Sequence, residues 1–173
     1  MKIVSLTENK NFEKRVAITP EIAKKYITIG FEVNLPKDYA LHLGFDDDEY
    51  KSQGVNIIER EEDIIEGADV IVQLALPEDD KLLKLKEGQN LIGVLDPFVN
   101  DQKLKDLSKK KVNSFSLELL PRITRAQSMD ILSSQANLAG YKAVIDSFAI
   151  FQKAIPMMMT AAGTISAAKV LVV

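Results

Sequence analysis

The residues best equipped for chemistry stand together between Glu118 and Tyr141, in the run ELLPRITRAQSMDILSSQANLAGY. Within it Arg122, Arg125, Gln127, Asp130, Ser133 and Tyr141 supply two guanidinium groups, an amide, a carboxylate, a hydroxyl and a phenol, more hydrogen-bonding capacity than a plain core helix needs. Such groups can hold and orient a polar ligand. They can equally do no more than start a helix: Thr124 followed by Gln127 fits the capping-box pattern, Ser128 is a second possible cap, and Asp130 is favoured by the positive end of a helix dipole. Spacing alone leaves both readings open. Elsewhere the chemistry is thin. The chain has no cysteine, which excludes a disulfide framework, a thiolate metal site and a cysteine nucleophile. Its single histidine, His42, lies between two leucines and reads as a packed or surface residue. The triple aspartate Asp46, Asp47, Asp48 lacks the spacing and glycine of a calcium loop, so it reads as the start of an acidic helix and no metal set is assigned.

The elements that must position this stretch alternate between strand and helix. Lys2 to Ser5 is a short β-rich run; Thr19 caps a helix with Pro20 at its first position and Gly30 past its end; Phe31 to Leu35 is a second strand. An acidic helix over Asp47 to Gln53, a strand over Val55 to Ile58 and a helix over Glu61 to Glu66 follow. Asp69 to Leu76 is nearly continuous in apolar residues, as a buried parallel strand should be. Asp79 to Glu87 reads as helix, Asn90 to Leu95 as strand, and Asn100 to Lys109 as a capped helix. The run Phe115 to Leu120 reads as a sixth strand that Pro121 ends. Six short strands with helices between them predict a doubly wound parallel α/β sheet of Rossmann or flavodoxin-like type. On such sheets ligands collect at the carboxyl ends of the strands, which places Gln73 to Pro77, Leu95 to Phe98 and Leu119 to Asp130 along one edge. After Gln127 a long helical pattern runs to about Lys153; Pro156 to Gly163 reads as a small-residue loop, and Lys169 to Val173 as the first strand of a second domain. The expected organisation is an α/β domain over 1–126, a connecting helix and loop over 127–165, and the start of a second domain over 166–173.

Composition bounds the function classes. Hydrophobic residues at 46% and charged residues at 27% describe a globular chain, and a net charge of −3 gives no reason to expect nucleic acid or an acidic membrane surface as a partner. Met1 to Leu6 is too short for a signal-peptide core. The most apolar tract, Ala154 to Val173, is interrupted by Pro156, Gly163 and Lys169, whereas a spanning helix wants about 20 predominantly apolar residues.

The runs PRITRAQSMDILSSQANLAGYKAVI and PMMMTAAGTISAAKVLVV closely resemble the NAD(H)-binding alpha subunits of proton-translocating NAD(P) transhydrogenases, relatives of the alanine dehydrogenases. KRVAITPEIAKKY and ADVIVQ resemble the same family more loosely. The resemblance implies that Arg122, Gln127, Asp130, Ser133 and Tyr141 bind NAD(H), with Gln127 and Asp130 the catalytic positions. Their work would be orientation, because direct hydride transfer needs two rings at near-attack distance and no side chain to take a proton. It further implies a homodimer, partner subunits that bind NADP(H) and sit in the membrane, and a cytoplasmic location peripheral to the inner membrane. One departure stands out: no G-x-G-x-x-G occurs, so the pyrophosphate cradle of the family is missing. The chain is therefore expected to be a fragment that binds NAD(H) weakly or not at all by itself.

Two rival readings compete. An alanine dehydrogenase would use Arg15 on a substrate carboxylate, but this chain has Gln73 where that enzyme places a lysine, and no histidine beyond His42. A non-catalytic α/β interaction module would account for the missing glycine loop and leave the polar cluster after Pro121 without a purpose.

Overall fold

Alternation of apolar residues along short strands builds a sheet with two buried faces. The structure, a computed structural model, describes residues 1–172. Its strands β1 (Lys2–Val4), β2 (Glu32–Pro36), β3 (Asn56–Ile58), β4 (Val70–Ala75), β5 (Asn90–Val94) and β6 (Asn113–Ser116) are all parallel, in the order β3-β2-β1-β4-β5-β6. That is the Rossmann order, in which the direction of winding reverses between β1 and β4. Successive side chains point to opposite faces, and the core divides accordingly. Ile3, Val33 and Leu35 pack with Ala23, Tyr39 and Tyr50 on one face; Val4, Ile71 and Leu91 pack with Ile64, Ile65 and Leu107 on the other.

Between the strands lie α1 (Pro20–Thr28), α2 (Asp47–Ser52), α3 (Glu61–Glu66), α4 (Asp79–Leu83) and α5 (Asp101–Lys109). The start of α1 follows its sequence signals: the Thr19 hydroxyl accepts from the Ile22 amide and Pro20 fills the first position. Gly30, at φ 94°, supplies the left-handed residue that turns the chain into β2.

The chain divides into two compact units, Met1–Met129 and Asp130–Val173. The first holds the sheet, α1 to α5 and both core clusters. The second consists of α6 (Ile131–Ile150) and an antiparallel hairpin of β7 (Met158–Thr160) and β8 (Gly163–Ile165).

Four sequence expectations are corrected here. The sixth strand covers Asn113–Ser116 rather than 115–120, and Leu117–Leu119 turns into a 3-10 helix instead. Residues 124–129 form a further 3-10 helix, so the long helix begins at Ile131 and ends at Ile150, not at Gln127 and Lys153. The segment read as a loop over 156–163 contributes β7 and the turn of the hairpin. Lys169 to Val172 forms no strand; a strand exists only through its ladder, and no described segment pairs with these residues. The last residue of that expected strand, Val173, lies outside the described residues.

Candidate functional site

Pro121 ends the 3-10 turn that follows β6, and the chain then runs exposed through Arg122 and Ile123 into the 3-10 helix Thr124–Met129. Ala126 anchors that helix as its one buried residue, its amide donating to the Ile123 carbonyl at 2.9 Å. Anchoring Ala126 leaves Arg122, Arg125 and Gln127 exposed, and none of the three side chains has a hydrogen bond or ion pair among the described residues. The expected capping box at Thr124 and Gln127 does not form, because a better cap lies six residues on.

That cap is Asp130. One carboxylate oxygen accepts the Ser133 amide at 3.0 Å and the other accepts the Ser133 hydroxyl at 2.6 Å, so the pair closes the start of α6 at the favourable end of its dipole. Asp130 and Ser133 are thus brought together, and part of their polar capacity serves the helix. Tyr141 lies two turns further along α6, about 12 Å from Ser133 by helical rise and about 80° around the axis, and is 70% exposed. Arg122, Arg125 and Gln127 belong to the first unit, and Asp130, Ser133 and Tyr141 to the second.

The remaining sequence candidates have structural employment. His42 places Nε2 2.7 Å from the Lys14 carbonyl, an oxygen that can only accept. Arg15 grips Glu13 through Nε at 2.8 Å and Nη2 at 2.6 Å, and this hydrogen-bonded guanidinium holds the Glu13 carboxyl below the usual carboxylate range.

At the carboxyl ends of β1 and β4 sequence reasoning found only one of two unusual residues. Gln73 is 3% exposed, and its Oε1 accepts from the Leu6 amide at 2.7 Å and the Ser5 hydroxyl at 2.9 Å. The Ser5 oxygen in turn accepts from the Tyr39 hydroxyl at 2.7 Å, and Tyr39 accepts the Ala17 and Ile18 amides. Burial pushes the Tyr39 phenol up to about 12, so it stays a neutral donor. Glu8 was missed. Its Oε1 accepts the Leu74 amide at 2.7 Å, and burial raises its carboxyl above the ordinary value. The signal that could have found this corner is Gly93: a glycine inside a strand marks a close backbone approach, and a Cβ there would lie 2.5 Å from the Gln73 carbonyl oxygen.

This corner also bears on dinucleotide binding. In a Rossmann sheet the turn after β1 is where a glycine-rich loop holds a pyrophosphate. Here the turn carries Thr7, Glu8 and Asn9, with Glu13 nearby, and carboxylates in that position repel a phosphate. The first unit thus leaves the donors of residues 122–127 exposed, and its turn after β1 carries no glycine-rich loop.

The family model described as alanine dehydrogenase/PNT, N-terminal domain, matches residues 5–139. The chain belongs to that family. It is 46% identical over 176 residues to an NAD(P) transhydrogenase subunit alpha polypeptide of Rickettsia prowazekii, a match that covers 99% of this chain and 46% of the relative. The protein of the same description from Rhodospirillum rubrum is 42% identical over 177 residues, again over 99% of this chain and 46% of the relative. Among solved structures, the transhydrogenase from Sinorhizobium meliloti superposes with a TM-score of 0.87 at 39% identity, over 95% of this chain and 50% of that one. The chain thus spans about half the length of these relatives, and every residue of the 122–133 polar run falls within the family match. Among the described residues no helix is long and apolar enough to cross a membrane.

Proposed function

We propose that this chain is the N-terminal portion of the NAD(H)-binding subunit of a proton-translocating transhydrogenase, and that its polar run orients the nicotinamide end of the dinucleotide. The observation that carries the reading is the exposure of Arg122, Arg125 and Gln127 without internal partners, in a segment shared with relatives named as transhydrogenase alpha subunits. NAD(H), when bound, supplies or receives the hydride. The side chains of this chain hold and aim. Gln127 can donate and accept at a carboxamide, Asp130 can accept from an amide or a ribose hydroxyl, and Arg122 adds a fixed positive charge beside the ring. Ser133, beside Asp130 at the start of α6, extends the contact toward the ribose; Tyr141 stands further along the same helix. None of these residues moves a proton, since the reaction needs orientation and exclusion of water rather than an acid or base.

The same reading assigns the pyrophosphate grip to a glycine-rich turn that the sequence does not contain, so this chain alone holds the dinucleotide weakly. It assigns NADP(H) to a partner subunit, the protein to a homodimer, and its place to the cytoplasmic side of an inner membrane, docked on membrane-embedded subunits that move the proton. Alanine dehydrogenase chemistry is disfavoured by Gln73 in the lysine position and by the commitment of Arg15 to Glu13. The test is an assay of the protein extended to the length of its relatives and assembled with its partner subunits. We expect exchange of hydride between NADH and an NADP+ analogue, and no NADH oxidation with pyruvate and ammonia. Pyruvate-dependent turnover without nucleotide exchange would transfer the protein to the other branch of its family.

A further inference from the structure

β5 runs into a turn that is made without glycine. Beyond Val94 the chain passes through buried Leu95 into Asp96, whose φ of 46° lies in the left-handed region that a residue with a side chain adopts at a cost. The turn closes on itself. The Asp96 carbonyl accepts the Val99 amide at 3.0 Å and the Asn100 amide at 2.9 Å, and Asn100 Nδ2 donates to the Leu95 carbonyl at 2.9 Å. The Asp96 amide bonds elsewhere. It donates at 2.6 Å to Oε1 of Glu118, 22 residues on, in the 3-10 helix Leu117–Leu119.

A carboxylate is more than that one bond requires. The other oxygen of Glu118, Oε2, is buried with no partner among the described residues, as is Oγ of Ser116 two positions before it. A buried carboxylate oxygen without a donor carries a desolvation cost that a neutral acceptor would largely avoid. Left-handed strain at Asp96 and a bare oxygen at Glu118 thus meet at a single bond, a combination that persists where a geometry is held for a purpose. The geometry in question is the departure of the polar run. Pro121 and Arg122 follow Glu118 by three and four residues, and buried Ala126 anchors the run further on. Between those two fixed points Arg122 and Arg125 stand exposed, all within the first unit.

We propose that Glu118 is a positioning residue of the nicotinamide site: its carboxylate ties the turn after β5 to the 3-10 helix before Pro121, and so sets the direction in which Arg122 to Gln127 leave the sheet. This role rests on the nicotinamide reading of that run. Glu118 acts through the backbone that joins it to Arg122, by a charge-assisted bond to a distant strand end. An acceptor at the place of Oε1 is the property that matters, so a glutamine there can do the same work and an alanine cannot.

The test compares Glu118→Ala with Glu118→Gln in two measurements. In the 173-residue chain, the Ile123 and Ala126 amides, which donate to the Pro121 and Ile123 carbonyls, should exchange hydrogen about tenfold faster in Glu118→Ala and near the wild-type rate in Glu118→Gln. In the protein at the full length of its relatives, assembled with its partner subunits, Glu118→Ala should lower kcat by about tenfold while the KM for NADH moves much less. Glu118→Gln should recover most of that rate. A merely structural role would lower the unfolding midpoint of Glu118→Ala and leave both the exchange of these amides and kcat per folded enzyme in place. That result overturns the proposal, as does a Glu118→Gln protein as slow as Glu118→Ala. Gln127→Ala, measured alongside, separates the two claims. If it is slow while Glu118→Ala turns over normally, Glu118 has no part in the site and the nicotinamide reading stands; normal turnover in both removes the reading and the proposal with it. If Glu118→Ala does not fold, Glu118→Asp, whose carboxylate is one methylene shorter, takes its place with the same expected losses.

Discussion

Glu61 sits where α3, α4 and the loop after β1 meet. It accepts the Thr7 amide at 2.6 Å and pairs with Lys81 at 2.9 Å, the two side chains being 25% and 17% exposed. Burial opposes its charge, and the Lys81 ammonium together with the Thr7 amide outweighs that opposition, so its carboxyl is held below the ordinary 4.5. A carboxyl depressed on folding adds stability that is complete above its unfolded value and vanishes as pH falls through the lower folded value. Glu61→Gln should therefore cost about 1–3 kcal/mol at neutral pH, the range for removing one partner of a half-buried pair. Urea midpoints should show a constant gap between variant and wild type down to about pH 5, closing below that; a gap that widens on acidification would show that Glu61 is not the stabilised carboxylate. At this scale the sequence conveyed which residues were polar and close along the chain. It did not convey that Glu8 caps the end of β4, because a carboxylate in a loop carries no local sign of the distant strand it will meet.

The register of β4 against β5 shifts between Val72 and Ala75, and at that irregularity the Gln73 carbonyl approaches Gly93. The approach is too close for a methyl group. Gly93→Ala should thus force β4 and β5 apart and destabilise the chain by about 1–3 kcal/mol, read as a lowered unfolding midpoint; an unchanged midpoint would mean that the two strands separate freely. Which elements were legible follows from where their determinants lie. The helix after Thr19 and the near-continuous apolar strand at Val70 to Ala75 were readable because a cap, a proline and a run of branched residues are local signals. The start of α6 was misplaced because Thr124 with Gln127 and Asp130 with Ser133 are both valid caps in sequence. The buried Ala126 decides between them, since it pins residues 124–129 as a separate 3-10 turn. The strand expected at Lys169 failed for a different reason, since apolar residues specify a strand only where a neighbour can complete the ladder.

Across the whole molecule, the first unit carries the entire buried core, whereas no described residue of the second is buried. Apolar side chains surround α6, with Leu132, Leu138, Val144, Ile145 and Phe148 all exposed, the composition of a helix suited to burial on every side. The polar run lies where the two units join in sequence, on a 3-10 helix pinned by Ala126 and at the capped start of α6. That division of labour makes a kinetic prediction for the protein at the full length of its relatives and assembled with its partner subunits. Replacing Gln127 by Ala or Asp130 by Asn should slow hydride transfer by on the order of tenfold or more while changing NADH affinity much less. Wild-type turnover in both variants would contradict the account, because the side chains said to aim the ring would then be aiming nothing.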